Sequence, residues 1–215
     1  DSLTSRLLDA GAIHPLVMPG DECTFNALDV TVVIPALVRN EDDSRLLQQL
    51  VESCSFVTAV IVVDDCSQDA TAAIIQRHAA EDPRVIPVRG HGKGLAAVRN
   101  LSMTAAAAPF GAVLDADDIL HPRHVERLID LATRTGADLV AGNMLTFAEA
   151  EPPALFAADP EWQSERKIGH REFLESGRID RQARLQLGYL KPMFRLEALR
   201  SKGLAYDLRL RIGED

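Results

Sequence analysis

Gly111-Ala112-Val113-Leu114-Asp115-Ala116-Asp117-Asp118 is the stretch on which the reading of this chain turns. A short apolar run leads straight into clustered carboxylates. A buried strand ending this way holds several negative charges at one sheet edge, which is tolerable where a cation or a positively charged group neutralises them. The first expectation is therefore a metal site. A second unit repeats the pattern, because Ala59-Val60-Ile61-Val62-Val63 is followed at once by Asp64-Asp65-Cys66-Ser67-Gln68-Asp69. In open α/β sheets the ligand crevice lies outside the carboxyl ends of the strands, so both clusters are expected to face one pocket.

Working outward, Val30 to Ile34 reads as a strand closed by Pro35, and Asp43 to Ser53 has helical spacing at Leu46, Leu47, Leu50 and Val51. With the strand Ala59 to Val63 they make a β-α-β unit. A helix over Ala70 to Ala80, capped from within Ser67 to Thr71, ends at Asp82-Pro83. A strand Val85 to Val88, a loop Arg89 to Gly94, an alanine-rich helix Leu95 to Ala107 and the strand Ala112 to Leu114 follow. Beyond the acids, Pro122 to Thr135 predicts a helix and Asp138 to Asn143 a strand. This alternation predicts an α/β domain with a mostly parallel central sheet flanked by helices. Residues 1–29, with Pro15, Pro19 and Gly20, predict an N-terminal extension or short helix leading into the domain. Glu149 to Gly169, with Pro152, Pro153 and Pro160, predicts a long loop over the sheet.

With 215 residues, 47% hydrophobic and 26% charged, the composition suits one large domain or two compact lobes. A formal charge of -9 argues against nucleic acid as the main partner, since a polyanion needs concentrated Lys and Arg. A local basic pocket could still hold a nucleotide. Cys23, Cys54 and Cys66 form no CxxC pair and are odd in number. Neither a disulfide framework nor a zinc site is expected, and a reducing cytoplasm is the expected setting. No apolar run reaches the roughly 18 to 20 residues that span a bilayer, and no basic segment with a following apolar one opens the sequence.

Five pieces occur in a telling order: Val32-Val33-Ile34-Pro35-Ala36; Val62-Val63-Asp64-Asp65-Cys66-Ser67-Gln68-Asp69-Ala70-Thr71; Gly94 with Ala97-Val98-Arg99-Asn100; Leu114-Asp115-Ala116-Asp117-Asp118; and Ile212-Gly213-Glu214-Asp215. In this ordered set the chain resembles the family 2 glycosyltransferases, the large inverting group with the GT-A fold, over about residues 30–215. Gly188-Tyr189-Leu190-Lys191-Pro192-Met193-Phe194-Arg195 and Gly203-Leu204-Ala205-Tyr206-Asp207 resemble bacterial exopolysaccharide glucosyltransferases of the succinoglycan type. Two departures stand out. Cys66 occupies a position where the family commonly has Gly, and Cys tolerates positive φ less readily. Leu37-Val38-Arg39 replaces the usual Tyr or Asn after the first strand.

The resemblance implies a donor half over residues 30–118 and an acceptor half over 119–215. It implies inverting transfer of a hexose from a nucleotide sugar, UDP-glucose or a relative, to a saccharide hydroxyl. The acceptor it implies is a saccharide or lipid-linked oligosaccharide, reached by peripheral association with the cytoplasmic membrane face. Carried over residue by residue, Asp117 coordinates Mn²⁺ or Mg²⁺ at the diphosphate and Asp115 contacts ribose or sugar hydroxyls. Asp65, with Asp64 alongside, accepts from the nucleobase, a task suited to an acceptor-only carboxylate. Pro35 lies at the nucleotide, Lys93 and Arg99 bring positive charge to the diphosphate, and Asp215 takes the proton of the acceptor hydroxyl.

Each residue also has a plainer reading. Asp115, Asp117 and Asp118 could form a turn or cap, and Asp64 and Asp65 could cap the next helix. Asp69 suits a cap better than a ligand contact, Arg99 suits an ion pair equally well, and His91 and His121 suit local hydrogen bonds. Asp215 alone would be a charged chain end. Among other enzymes, Ala112 to Asp117 fits the opening motif of haloacid-dehalogenase-type phosphatases, with Asp115 as nucleophile and Asp117 as acid and base. That motif normally opens a first strand, whereas here it follows about three. A Rossmann dehydrogenase is disfavoured because no G-x-G-x-x-G follows Val30 to Ile34. A non-catalytic nucleotide-sugar-binding module remains as a third class.

Overall fold

β-Branched residues fill both faces of the first two strands, and the reason is that helices cover the sheet on both sides. The computed structural model describes residues 25–36, 41–116, 118–121, 123–148, 151–162, 164–176 and 187–209. In chain order the elements are β1 (Val30–Ala36), α1 (Glu41–Ser53), β2 (Ala59–Asp64), α2 (Thr71–Glu81), β3 (Val85–Arg89), α3 (Leu95–Ala105) and β4 (Phe110–Val113). Then come α4 (His124–Thr135), β5 (Leu139–Val140), β6 (Leu145–Ala148), β7 (Glu151–Leu155), α5 (His170–Ser176), β8 (Met193–Arg195) and α6 (Leu196–Lys202).

Six strands form one sheet in the order β3-β2-β1-β4-β8-β5. β1 pairs in parallel with β2 and β4, and β2 with β3, as the β-α-β pattern requires. β8 is antiparallel to both β4 and β5. Val30, Val32, Ile34, Val60 and Val62 face one core with Leu47 and Leu50 of α1, Ile75 of α2 and Leu128 of α4. The alternate residues Val33, Ile61, Val63 and Val113 face the other, with Val98 and Met103 of α3 and Leu196 of α6. Ahead of β1, Phe25 packs edge-on against Phe110 at 5.2 Å.

The expected α/β architecture is present, with shifted boundaries. β1 continues through Pro35 to Ala36 rather than closing at Ile34. Val33 turns its carbonyl to the β4 side, where it accepts from the Leu114 N–H at 3.0 Å. Pro35, two residues on, turns the same way, past the end of the β1–β4 ladder at Val33 and Val113. Its missing N–H therefore costs no ladder bond. α3 ends at Ala105 and β4 begins at Phe110, earlier than expected, and β5 is only Leu139–Val140. The expected long loop after Glu149 instead contributes β7, which pairs antiparallel with β6 in a separate ribbon. Pro152 and Pro153 are tolerated in β7 because one side of each ribbon strand is a free edge and the β6–β7 register shifts between Thr146 and Ala148, opposite the two prolines. α5, β8 and α6 carry too little periodic signal to be read from the sequence. No described helix is long and apolar enough to cross a membrane.

Gly111 sits in β4 where a Cβ would come 2.9 Å from Met103 Sδ and 3.0 Å from Leu196 Cδ2. Gly111→Val is expected to lower unfolding free energy by about 1–3 kcal/mol through overpacking. Urea titration checks this, and an unchanged midpoint would show that α3 and α6 move aside freely.

Candidate active site

The strand order reverses at β1, whose chain partners β2 and β4 lie on opposite sides of it. A crevice at the carboxyl ends of β1 and β4 follows from that topology. Pro35 and Ala36 end β1, Asp64 ends β2, Asp65 to Asp69 continue from it, and Asp115 follows β4.

Lys191 enters this edge from the opposite direction. Because β8 is antiparallel, with Ala112 opposite Met193, the residues before β8 lie beside the residues after β4. The Lys191 ammonium donates to Asp115 Oδ2 and lies 3.6 Å from Asp118 Oδ2. Burial works to lower the lysine pKa, but the hydrogen bond and charge of Asp115 and the charge of Asp118 outweigh it. The ammonium is held above its ordinary pKa, with nearby Arg99 acting in the lowering direction. Lys191 was not among the residues singled out from the sequence. Its only signal there was membership of the Gly188 to Arg195 stretch; the contact depends on strand direction.

Arg99 is buried on α3, with its guanidinium 5.4 Å from the centre of the Tyr206 ring. The neighbouring Asn100 amide donates to the Tyr206 carbonyl at 2.9 Å and accepts from its N–H at 2.8 Å. Side chains of α3 thus hold the segment after α6 against the site. Arg99, Asp115, Lys191 and Tyr206 line one cleft of about 2370 Å³, which extends past Trp162.

At the β2 end the two acids divide their work. Asp64 is buried, its Oδ1 accepting from the Ser67 N–H at 2.8 Å. Its Oδ2 is buried with no hydrogen-bond donor among the described residues. Asp65 accepts from Gly92 N–H at 2.8 Å through Oδ1 and from Gly94 N–H at 2.7 Å through Oδ2. It pins the loop that carries Lys93, whose side chain is exposed. A Cβ on Gly90 would meet Asp65 Oδ1 at 2.3 Å, so only glycine lets the loop pass this closely. Cys66 adopts φ 64, the left-handed conformation that a glycine would take without strain, and its Sγ donates to the Gly90 carbonyl at 3.1 Å. Asp69 serves the start of α2, accepting from Thr71 N–H at 2.9 Å and Thr71 Oγ1 at 2.6 Å. His91 is exposed, and His121 accepts locally from the Arg123 N–H at 3.2 Å.

Asp117 and Asp215 lie outside the described residues. Among the described residues no group of three or more His, Cys, Asp and Glu converges as a metal cage. Asp115 and Asp118 offer oxygen donors only, a set that fits Mg²⁺ or Mn²⁺ when substrate phosphates complete the shell.

Because both Asp65 oxygens take backbone donors, Asp65→Asn would set an amide NH₂ against one of the two N–H groups. Hydrogen exchange at Gly92 and Gly94 is expected to quicken about tenfold for a loss of roughly 1.4 kcal/mol. Unchanged protection would mean that the loop holds itself.

Comparison with known proteins bears on the family and the fold. The Glycosyl transferase family 2 model matches residues 31–179. Succinoglycan biosynthesis protein ExoO of Rhizobium meliloti (strain 1021) is 31% identical over 188 residues, covering 87% of this chain and 53% of that protein. The S. aureus TarS 1-349 structure in complex with UDP-GlcNAc aligns with a TM-score of 0.58 at 15% identity, over 86% of this chain and 50% of the other. Mannosyltransferase PcManGT from Pyrobaculum calidifontis, in complex with GDP-Man and Mn²⁺, aligns with a TM-score of 0.57 at 16% identity, over 97% and 55%. The chain thus spans about half the length of these proteins. The fold is the GT-A fold, the acidic strand end is not the opening motif of a phosphatase, and the chain belongs to glycosyl transferase family 2.

Proposed function

We propose that this domain transfers a hexose from a UDP-sugar, UDP-glucose or a relative, to a saccharide hydroxyl with inversion, in the assembly of an exopolysaccharide. The observation that carries the reading is the meeting of Asp115, Asp118, Lys191 and Arg99 at the switch point of a parallel sheet. A nucleotide diphosphate needs positive charge for its phosphates and acceptors for its ribose and base, and this edge offers both. The saccharide context is supported by the 31% identity to the succinoglycan protein. A nucleotide-sugar donor is supported by the UDP-GlcNAc and GDP-Man complexes of the structural neighbours.

Within this reading, residues 30–118 supply the donor half and 119–215 the acceptor half. Asp115 orients ribose or sugar hydroxyls, Pro35 flanks the nucleotide, and Lys93 and Arg99 draw the diphosphate in. Asp65 acts through the loop it pins, and its carboxylate keeps lone pairs for the base. Asp117 would hold Mn²⁺ or Mg²⁺, with the Asp115 and Asp118 carboxylates as further oxygen donors beside it, and the ion supplies Lewis-acid stabilisation of the leaving diphosphate when bound. Asp215 removes the acceptor proton as the hydroxyl attacks the anomeric carbon from the face opposite the leaving group. The acceptor is a saccharide, carried on a lipid at the cytoplasmic membrane face and met by peripheral association.

Calorimetric titration of UDP and GDP, with and without Mn²⁺, tests the donor reading. UDP binding that strengthens with Mn²⁺ and weakens at least about tenfold in Asp117→Ala is the expected result. Failure to bind either nucleotide under any condition would overturn it. Asp215→Asn is expected to lower turnover by about 10²–10⁴ with UDP affinity kept. Full activity in that variant would move the base elsewhere.

A further inference from the structure

Lys191, just ahead of a strand that runs against the parallel part of the sheet, hydrogen-bonds Asp115 and lies within ion-pair distance of Asp118, 3.6 Å from its Oδ2. Its side chain is 19% exposed, against 37% for each carboxylate, so the charge is drawn back from water and its attractions are weakly screened. The oxygen it occupies, Asp115 Oδ2, belongs to the carboxylate pair that suits a divalent cation. An ammonium in hydrogen-bond contact with that carboxylate and a divalent cation on it repel one another. Arg99 sets further positive charge nearby, so an ammonium leaving the carboxylates finds its next partner in an anion. A lysine suits such a change, since its charge is a compact point on a flexible stem rather than a rigid fork.

We propose, resting on the donor reading above, that Lys191 is a displaceable counter-ion and diphosphate-binding residue. Its ammonium neutralises Asp115 and Asp118 before the nucleotide arrives, and turns to the diphosphate once a divalent cation is held by the carboxylates. No covalent bond or proton changes hands. Two consequences follow from linkage. Lys191 weakens cation binding in the absence of nucleotide, and it makes cation and nucleotide each favour the other.

The test measures Mn²⁺ binding by electron paramagnetic resonance of the free ion, with and without UDP, in wild type, Lys191→Met and Lys191→Arg. In Lys191→Met the affinity for Mn²⁺ alone is expected to rise about fivefold, and the enhancement by UDP to fall at least about tenfold. Lys191→Arg keeps the charge and is expected to keep Mn²⁺ alone as weak as in wild type. Should Lys191→Met fail to fold, Lys191→Gln makes the same comparison. Mn²⁺ affinity in the neutral variant equal to or below that of wild type would overturn the proposal. A wild type that binds neither UDP nor GDP would instead overturn the donor reading and the turn to the diphosphate with it. The Mn²⁺-only comparison would then still decide whether Lys191 occupies the cation's carboxylates.

Discussion

Carboxylates gathered at the end of a parallel sheet repel one another, and the neutralisation of that charge is the constraint on which this site depends. Unit charges about 4 Å apart at an effective dielectric near 20 interact by about 4 kcal/mol, enough to matter against a marginal folding free energy. The protein answers with a lysine in contact with Asp115 and 3.6 Å from Asp118, and with a buried arginine on α3 close by. In the proposed reading, the same charges that make the edge tolerable also draw in a diphosphate, so that stability and recognition share one set of ions.

That arrangement requires the antiparallel strand β8. Parallel strands bring only the residues that follow them to the carboxyl edge, so β1, β2 and β4 contribute acids and loops there. A strand of the opposite sense brings the residues that precede it, and this is how Lys191 reaches Asp115 although 76 positions separate them. A residue from late in the chain consequently sits on the carboxylates that follow β4. The second acidic cluster meets its own constraint differently. Asp65 spends both oxygens on the Gly92 and Gly94 N–H groups, and Cys66 takes the left-handed turn that lets the chain double back beside Gly90.

Much of the fold was legible because its signals are local. β-Branched runs bounded by acids or by proline mark β1, β2 and β3, and the alternation with helices implies parallel pairing. Asp69 as a helix cap and His121 as a local acceptor were also readable, since both act within two residues. The errors have physical causes. Pro35 reads as a strand end until the β1–β4 ladder is known to stop short of it. Pro152 and Pro153 read as loop until β7 is known to lie in a two-stranded ribbon. β8 is three residues long, too short for any period to declare itself.

By itself, the sequence determined the parallel α/β core, the two acidic strand ends and the family, because local patterning and ordered motifs carry that information along the chain. Only the tertiary structure decided which cation meets which carboxylate. Lys191 pairs with Asp115 because of the direction and register of β8, and Asp65 meets the glycine loop because β2 and β3 lie side by side in parallel. Strand direction and register are properties of pairing between distant segments, and no single segment encodes them.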